Sequence, residues 1–267
     1  HLIIVFNDIT ETMEAQEKQS RLLTELQRSN EALQEFTRAA SHDLKEPIRK
    51  IVFFSGKLKY LLNDKLTEDE SQLLERVEKS SERMKGLVED LLEYSYVEQN
   101  GREKEATDLN TVLALILSDL ELPINEKNAI VKVANLPVVD GYRRQLQQLF
   151  QNLVSNALKY HKSGVQPEIN ISVENVTGKS CGFNVPDVFR ERDFYLINVQ
   201  DNGIGFAQSD AERIFNIFTR LHGNNEYSGT GIGLAIVRKV VENHGGYICA
   251  ESEPGEGACF HVLLPAK

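Results

Sequence analysis

The chain predicts an α plus α/β protein: an antiparallel helical hairpin that pairs into a dimeric four-helix bundle, followed by an α/β sandwich. Three observations carry that expectation. From Glu11 to Leu62 apolar residues recur in steps of three and four, with one proline and one glycine in 52 residues, a sustained heptad seam. A capping box at Thr67 and Glu70 then opens a second amphipathic helix. Beyond residue 108, apolar helices are separated by alternating strands, the pattern of a sheet with helices layered on it.

The elements follow in order. "LIIVF" at residues 2–6 is a β-rich run ending at an Asp/Thr helix-start signal. In the long helix, Leu23, Asn30, Thr37, Leu44, Ile51 and Leu58 take position a, and Leu26, Leu33, Ala40, Pro47, Phe54 and Leu61 take d. Fully helical, this rod extends about 78 Å, more than a compact domain of this size buries alone. "NDKLTEDES" breaks it. The second helix carries Leu74, Val77, Ser81, Met84, Val88, Leu91 and Ser95 on its seam and frays at "EQNGREKEA". A hairpin of two such helices leaves apolar surface over, and pairing two hairpins covers it, so a homodimer is expected.

Further on, "LNTVLALILSDLE" reads as an apolar helix, "IVKVANLPVVDG" as a strand and turn, and "YRRQLQQLFQNLVSNALKYHK" as a helix. "PEINISVENV" and "DFYLINVQDNG" alternate as strands, and "GKSCGFNVPDVFRER" between them reads as a surface excursion. A glycine-bearing loop leads into the helix "GLAIVRKVVENHGG", and "YICAESEPGEGACFHVLLP" closes the chain as two strands about a Glu-Pro-Gly turn. One mixed or antiparallel sheet with helices on a face is expected.

Composition excludes some functions. Lys plus Arg number 30 against 40 acids, a net charge of −10, which disfavours nucleic acid as a partner. Cys181, Cys249 and Cys259 form an odd set without CxxC spacing, as reduced thiols of a cytosolic protein do. No apolar run spans a bilayer and no signal peptide is visible. The sequence begins without methionine and reads as a cytoplasmic fragment, which leaves open a membrane anchor upstream.

Four segments bear chemistry. "AASHDLKEP" places His42 at heptad position f, away from the seam. By position it is a solvated surface histidine or a nucleophile held outward; a metal ligand is disfavoured, because no His or Cys lies at i+3 or i+4. "DNGIGF", Asp201 to Phe206, is a tight turn or a loop whose backbone approaches a flat ligand, with Asp201 accepting from an exocyclic amine. "GTGIGLAIV" runs from glycines into a helix and can present N–H groups to phosphate. It is neither a Walker loop nor a dinucleotide fingerprint. In "NLVSNALKY", Asn152, Asn156 and Lys159 share a helical face. That face is an ordinary polar one, or it supplies amide oxygens for a hard cation and an ammonium for phosphate.

In this order, the segments resemble the sensor histidine kinases of two-component systems over nearly the whole chain. "FTRAASHDLKEPIRKI" is similar to the family's H box, "NLVSNALKY" to its N box, "DNGIGF" to G1, "IFNIFTRLH" to the F box and "GTGIGL" to G2. "SHDLKEPIRKI" is closest to the phytochrome-like variant, and "LIIVFNDITE" resembles the exit of a PAS sensor domain. The resemblance implies an α/β sandwich of the histidine kinase and Hsp90 type. It also implies four segments: 1–10 the end of an upstream sensor, 11–35 a signalling helix, 36–100 a dimerisation and phosphotransfer domain, and 101–267 a catalytic ATP-binding domain.

By the same resemblance, His42 is the phosphoacceptor and Asp43 the acid that orients its ring or takes its proton. Asn156 with Asn152 ligates Mg2+, Lys159 meets the triphosphate of ATP, Tyr160 the adenosine end, and Asp201 the adenine amine. Gly203 and Gly205 shape the loop at the base; Gly229, Thr230, Gly231, Gly233 and Leu234 build the phosphate loop and helix start. Residues 206–228 form a lid in which Arg220 reaches the γ-phosphate, while Phe215 and Phe218 dock it against the bundle. His161 is a minor candidate for phosphate contact. The implied partners are a second copy of the chain and the receiver domain of a response regulator.

Two residues depart from the family pattern. Glu46 stands where Thr or Asn commonly positions water for dephosphorylating the regulator, which predicts a phosphatase activity that is weak or differently organised. Ala258 stands where Thr or Ser opens the last strand, which predicts loss of a water-mediated contact near adenine. The competing reading is a catalytically silent dimeric module that senses nucleotide and signals by conformation. An ATP-operated clamp or a serine kinase of the wider superfamily is disfavoured by the hairpin around His42.

Overall fold

The computed structural model of the chain describes residues 10–62, 66–96, 103–221 and 229–266; several side chains of the first helix, that of His42 among them, are outside the description. The strand expected at 2–6 and part of the expected lid lie outside the described residues.

Helix α1 (Thr10–Leu62) is continuous over 53 residues and runs through Pro47, although a proline there withholds one helical N–H. Helix α2 (Glu68–Tyr96) begins with three acids in its first turn, where the positive end of the helix dipole favours them. Its capping box forms as expected: Glu70 accepts from the Thr67 N–H at 2.8 Å, and the Glu70 N–H donates to the Thr67 hydroxyl at 3.3 Å. The two helices run antiparallel, tied by Lys59 to Glu78 at 2.6 Å.

The hairpin closes through the expected seam on α2 but not on α1. Ile48, Ser55, Ser81, Val88 and Ser95 are buried, whereas Leu44, Ile51, Phe54, Leu58 and Leu61 remain 45–58% exposed. Small side chains let the helices approach: the Ser55 and Ser81 hydroxyls donate to carbonyls four residues back, at 2.8 Å each. From Leu44 to Leu61 the a/d stripe of α1 therefore faces outward beside the hairpin contact.

In the second half, strand β1 (Glu105–Asp108) precedes α3 (Leu109–Asp119), capped by Asp108. The short α4 (Glu121–Glu126) leads to β2 (Ile130–Val133) and β3 (Val138–Gly141). The segment expected to be one strand and a turn is thus two strands, and they enter different sheets. β3 pairs with β1 as a two-stranded ribbon. β2 joins β4 (Glu168–Thr177), β5 (Asp193–Asp201), β6 (Tyr247–Glu253) and β7 (Gly257–Pro265) in a sheet of order β2-β4-β5-β7-β6, parallel only at β2–β4.

Helices α3, α5 (Arg143–Lys159) and α6 (Gly233–Asn243) cover one face of that sheet. Leu109, Ile116, Leu146, Phe150, Ile197 and Val262 meet there with no exposed surface. The opposite face is partly sealed by the segment 178–192, which buries Cys181 and Val185 against Phe194 and Leu263. It does more than skirt the surface: strand alternation turns Phe194 and Leu263 away from the helices, and their apolar area needs a cover.

Candidate functional site

The site lies where α5, the loop after β5 and the start of α6 converge. One cavity there is lined by Asn156, Tyr160, Asp201, Gly205, Phe206, Thr219, Arg220, Leu234 and Ala258, among others. A second is lined by Asn152, Asn156, Lys159, Tyr160, Gly229, Thr230, Gly231, Gly233, Leu234 and also Asp90. They share Asn156, Tyr160, Ile214, Thr219 and Leu234, so they form one two-chambered cleft.

Helical spacing puts Asn152, Asn156 and Lys159 on the cleft side of α5 while Leu149, Phe150, Leu153 and Val154 enter the core. The Asn152 amide nitrogen donates to the Gln148 carbonyl at 3.0 Å, which leaves its oxygen as the free end. That oxygen abuts the start of α6: a Cβ on Gly233 would come within 2.6 Å of it, so a larger residue there would displace the Asn152 amide. Lys159 donates to the Tyr160 hydroxyl at 2.9 Å and lies 4.4 Å from the centre of its ring.

At the other chamber, Asp201 ends β5 and accepts from the Gly203 N–H at 2.8 Å and the Ala258 N–H at 3.3 Å. Burial pushes its carboxyl above the usual range, while those two N–H groups pull it down. Ala258 thus meets Asp201 through its backbone. The loop's turn depends on Gly205, whose φ is +62° and whose Cβ would lie 2.1 Å from the Glu253 carbonyl. The Ile204 N–H donates to the Tyr160 carbonyl at 2.9 Å, joining this loop to the end of α5.

Three expectations are corrected. Gly203 does not line the cleft; it is buried under the Tyr160 carbonyl and supports the loop from beneath. Phe215 docks into its own domain: it is 3% exposed, edge-on to Phe260 at 6.4 Å, with the Arg238 guanidinium 4.6 Å from its ring centre. His161 turns its Nδ1 towards the Leu158 carbonyl at 3.0 Å and Lys127 at 3.4 Å, and so belongs to the end of α5.

Arg220 sits beside the loop from Gly229 to Gly233, its stem 3.1 Å from where a Gly231 Cβ would be. His42 and Asp43 lie on α1, and Asp43 does not line the cleft. The cleft nevertheless abuts the hairpin, because Leu87, Leu91 and Tyr94 of α2 pack against the domain core. Lys59 opposite Glu78 sets the register, so residue 42 of α1 stands level with about residue 95 of α2 and roughly 8 Å along the axis from Asp90. Sequence reasoning missed Asp90 and Thr219. Thr219 adjoins Arg220 in the "IFTRLH" segment, whereas nothing near Asp90 in the sequence marks it.

Residues 141–267 match the family described as histidine kinase-, DNA gyrase B-, and HSP90-like ATPase, and residues 32–100 match the His Kinase A phospho-acceptor domain. The chain is 35% identical to phytochrome-like protein Cph1 of Synechocystis sp. over 93% of its length and 31% of that protein's. It is 37% identical to cyanobacterial phytochrome A of Nostoc sp. over 92% of its length and 30% of that protein's. It therefore spans about a third of the curated relatives it matches. The crystal structure of full-length ShkA in complex with AMPPNP shares the fold, with a TM-score of 0.61 and 23% identity over 86% of this chain and 45% of that one. Among the described residues, no helix is long and apolar enough to cross a membrane. With a phospho-acceptor hairpin and this ATPase domain in one chain, the protein belongs to the sensor histidine kinases, and its domain pair is that of a protein-histidine kinase.

Proposed function

We propose that the chain phosphorylates His42 from ATP and passes the phosphoryl group to an aspartate on a response-regulator receiver domain. The observation that carries this reading is the two-chambered cleft abutting the hairpin near the level of residue 42. Adenine fits the chamber that holds Asp201, whose carboxylate can accept from the N6 amine. The triphosphate fits the chamber of Lys159 and the loop from Gly229 to Gly233, with Arg220 of the adjoining chamber beside that loop; their N–H groups and cations match its charge. Asn156 and Asn152 would hold Mg2+, since the free Asn152 oxygen is the donor a hard cation takes. The ion, when bound, neutralises charge on the phosphate oxygens.

In the transfer, the Nε2 lone pair of neutral His42 forms a bond to the γ-phosphorus as the bond to the ADP oxygen breaks. The ring's Nδ1 proton passes to Asp43, and ADP leaves. Arg220 stabilises the transferring group. Residues 36–100 would pair two chains through the exposed a/d stripe, and residues 101–267 would supply the kinase unit. Residues 1–10 and 11–35 would link this cytoplasmic unit to an upstream sensor.

Incubation with γ-labelled ATP and Mg2+ tests the proposal. A label that is acid-labile, alkali-stable and absent from His42→Gln is expected. Nucleotide binding without label would instead favour the silent sensing module, for which no particular contact speaks.

A further inference from the structure

Thr230 of the phosphate loop donates its hydroxyl proton to the Asp90 carboxylate of α2, 140 residues away in sequence. Gly86, one helical turn earlier on the same face, lies under the Thr230 methyl; a Cβ there would come to 3.6 Å. Asp90 also lines the chamber that holds Asn152, Asn156 and Lys159. A carboxylate from the hairpin thus occupies ground suited to an anion. Glu89 adds to the negative field around it, and burial raises the Asp90 pKa. The Lys159 ammonium donates to the Tyr160 hydroxyl, so the contact to Asp90 is made by a neutral hydroxyl.

We propose that Asp90 and Thr230 form a latch that holds α2 on the catalytic domain and that the triphosphate of a bound nucleotide opens. The inference rests on the nucleotide reading above and adds regulation of the same site. Like charges cannot share the chamber, so docking of α2 weakens nucleotide binding. By linkage, nucleotide then weakens docking by the same factor. The empty domain stays clamped to the hairpin, and the loaded one is released to reach the acceptor.

Asp90→Asn keeps the shape and an acceptor for Thr230 but deletes the charge. Titration of the full chain with a fluorescent ATP analogue in Mg2+ should show binding about 5-fold tighter or more in this variant. Amide hydrogen exchange over residues 84–94 gives a second readout that does not depend on affinity. Nucleotide should accelerate it in the wild-type chain, and Asp90→Ala should accelerate it without nucleotide. Unchanged affinity in Asp90→Asn overturns the latch. Weaker affinity also overturns it and makes Asp90 a cation ligand instead. If neither protein binds the analogue, the nucleotide reading fails and takes the latch with it, whereas normal binding with unchanged exchange sinks the latch alone.

Discussion

The two halves of the molecule solve burial differently. The α/β domain encloses its own core: residues from α3, α5, α6 and four strands of its main sheet form one continuous buried cluster. The hairpin buries Ile48, Val88 and three serines and leaves Leu44, Ile51, Phe54, Leu58, Leu61, Val77 and Met84 each at least 45% exposed. Two helices have one mutual contact line, so an amphipathic stripe wider than that line stays wet. A domain that binds and turns over a small ligand gains from a rigid, self-sufficient core. A hairpin that pairs with a second copy, as proposed above, gains from an interface completed by that chain.

The largest effect should come from breaking the self-sufficient half. Phe150 has no exposed surface, so Phe150→Ala should lower the domain's unfolding free energy by about 3–5 kcal/mol, through lost transfer energy and the cavity left behind. Denaturant titration of the full chain measures it. The opposite change sharpens the contrast. Ile51→Ser with Phe54→Ser should convert a dimer to a monomer in sedimentation, while the α/β domain unfolds at an unchanged denaturant concentration. Persistence of the dimer would show that another surface holds the chains together.

Legibility in the sequence follows the same division. The long helices were visible because a 3.6-residue period repeats many times, and β4, β5 and β7 because one face alternates into the core. β1 was not, since "EATD" carries no apolar period and only Thr107 is buried. β2 and β3 were merged because a turn signal does not say which sheet each strand joins. For the site, the motif residues were legible as short runs, but their union in one cleft is a property of the fold. Asp90 was hidden: an acid on the polar side of an amphipathic helix reads as solvated until a partner 140 residues away is seen. Phe215 misled because an apolar residue in an irregular segment has no periodicity to indicate which core it enters.

A smaller effect should appear with pH, and it belongs to the α/β half alone. His244 is 4% exposed; its Nε2 accepts the Tyr142 N–H at 2.9 Å, and its Nδ1 lies 2.7 Å from the Val240 carbonyl. Those partners assign the proton to Nδ1. Burial depresses its pKa, with Lys104 adding to the effect and Asp140 opposing it. The folded state therefore binds fewer protons than the unfolded one. Its contribution is complete above the unfolded value of about 6.5 and is lost as pH falls through the lower folded pKa. One hydrogen bond joining the start of α5 to the end of α6 is at stake, about 1 kcal/mol. His244→Gln should flatten the fall in stability below neutral pH; an equally steep fall would assign the acid sensitivity elsewhere.

The least perturbing change tests function without touching either core. Glu46 is exposed and pairs with Lys50 at 2.7 Å, an i,i+4 contact on the surface of α1. Four residues after His42, it shares a helical face with the histidine. An ionised carboxylate can only accept hydrogen bonds, so it repels an incoming acyl phosphate and cannot donate to the oxygen that leaves. Lys50 offsets part of that charge but cannot make the carboxylate a donor. Glu46→Thr supplies a hydroxyl and removes the repulsion while leaving the helix and the hairpin contact intact. Dephosphorylation of a phosphorylated receiver domain should then run faster with Glu46→Thr than with the wild-type chain, at equal autophosphorylation. Faster turnover with Glu46 in place would mean that the carboxylate itself activates the attacking water.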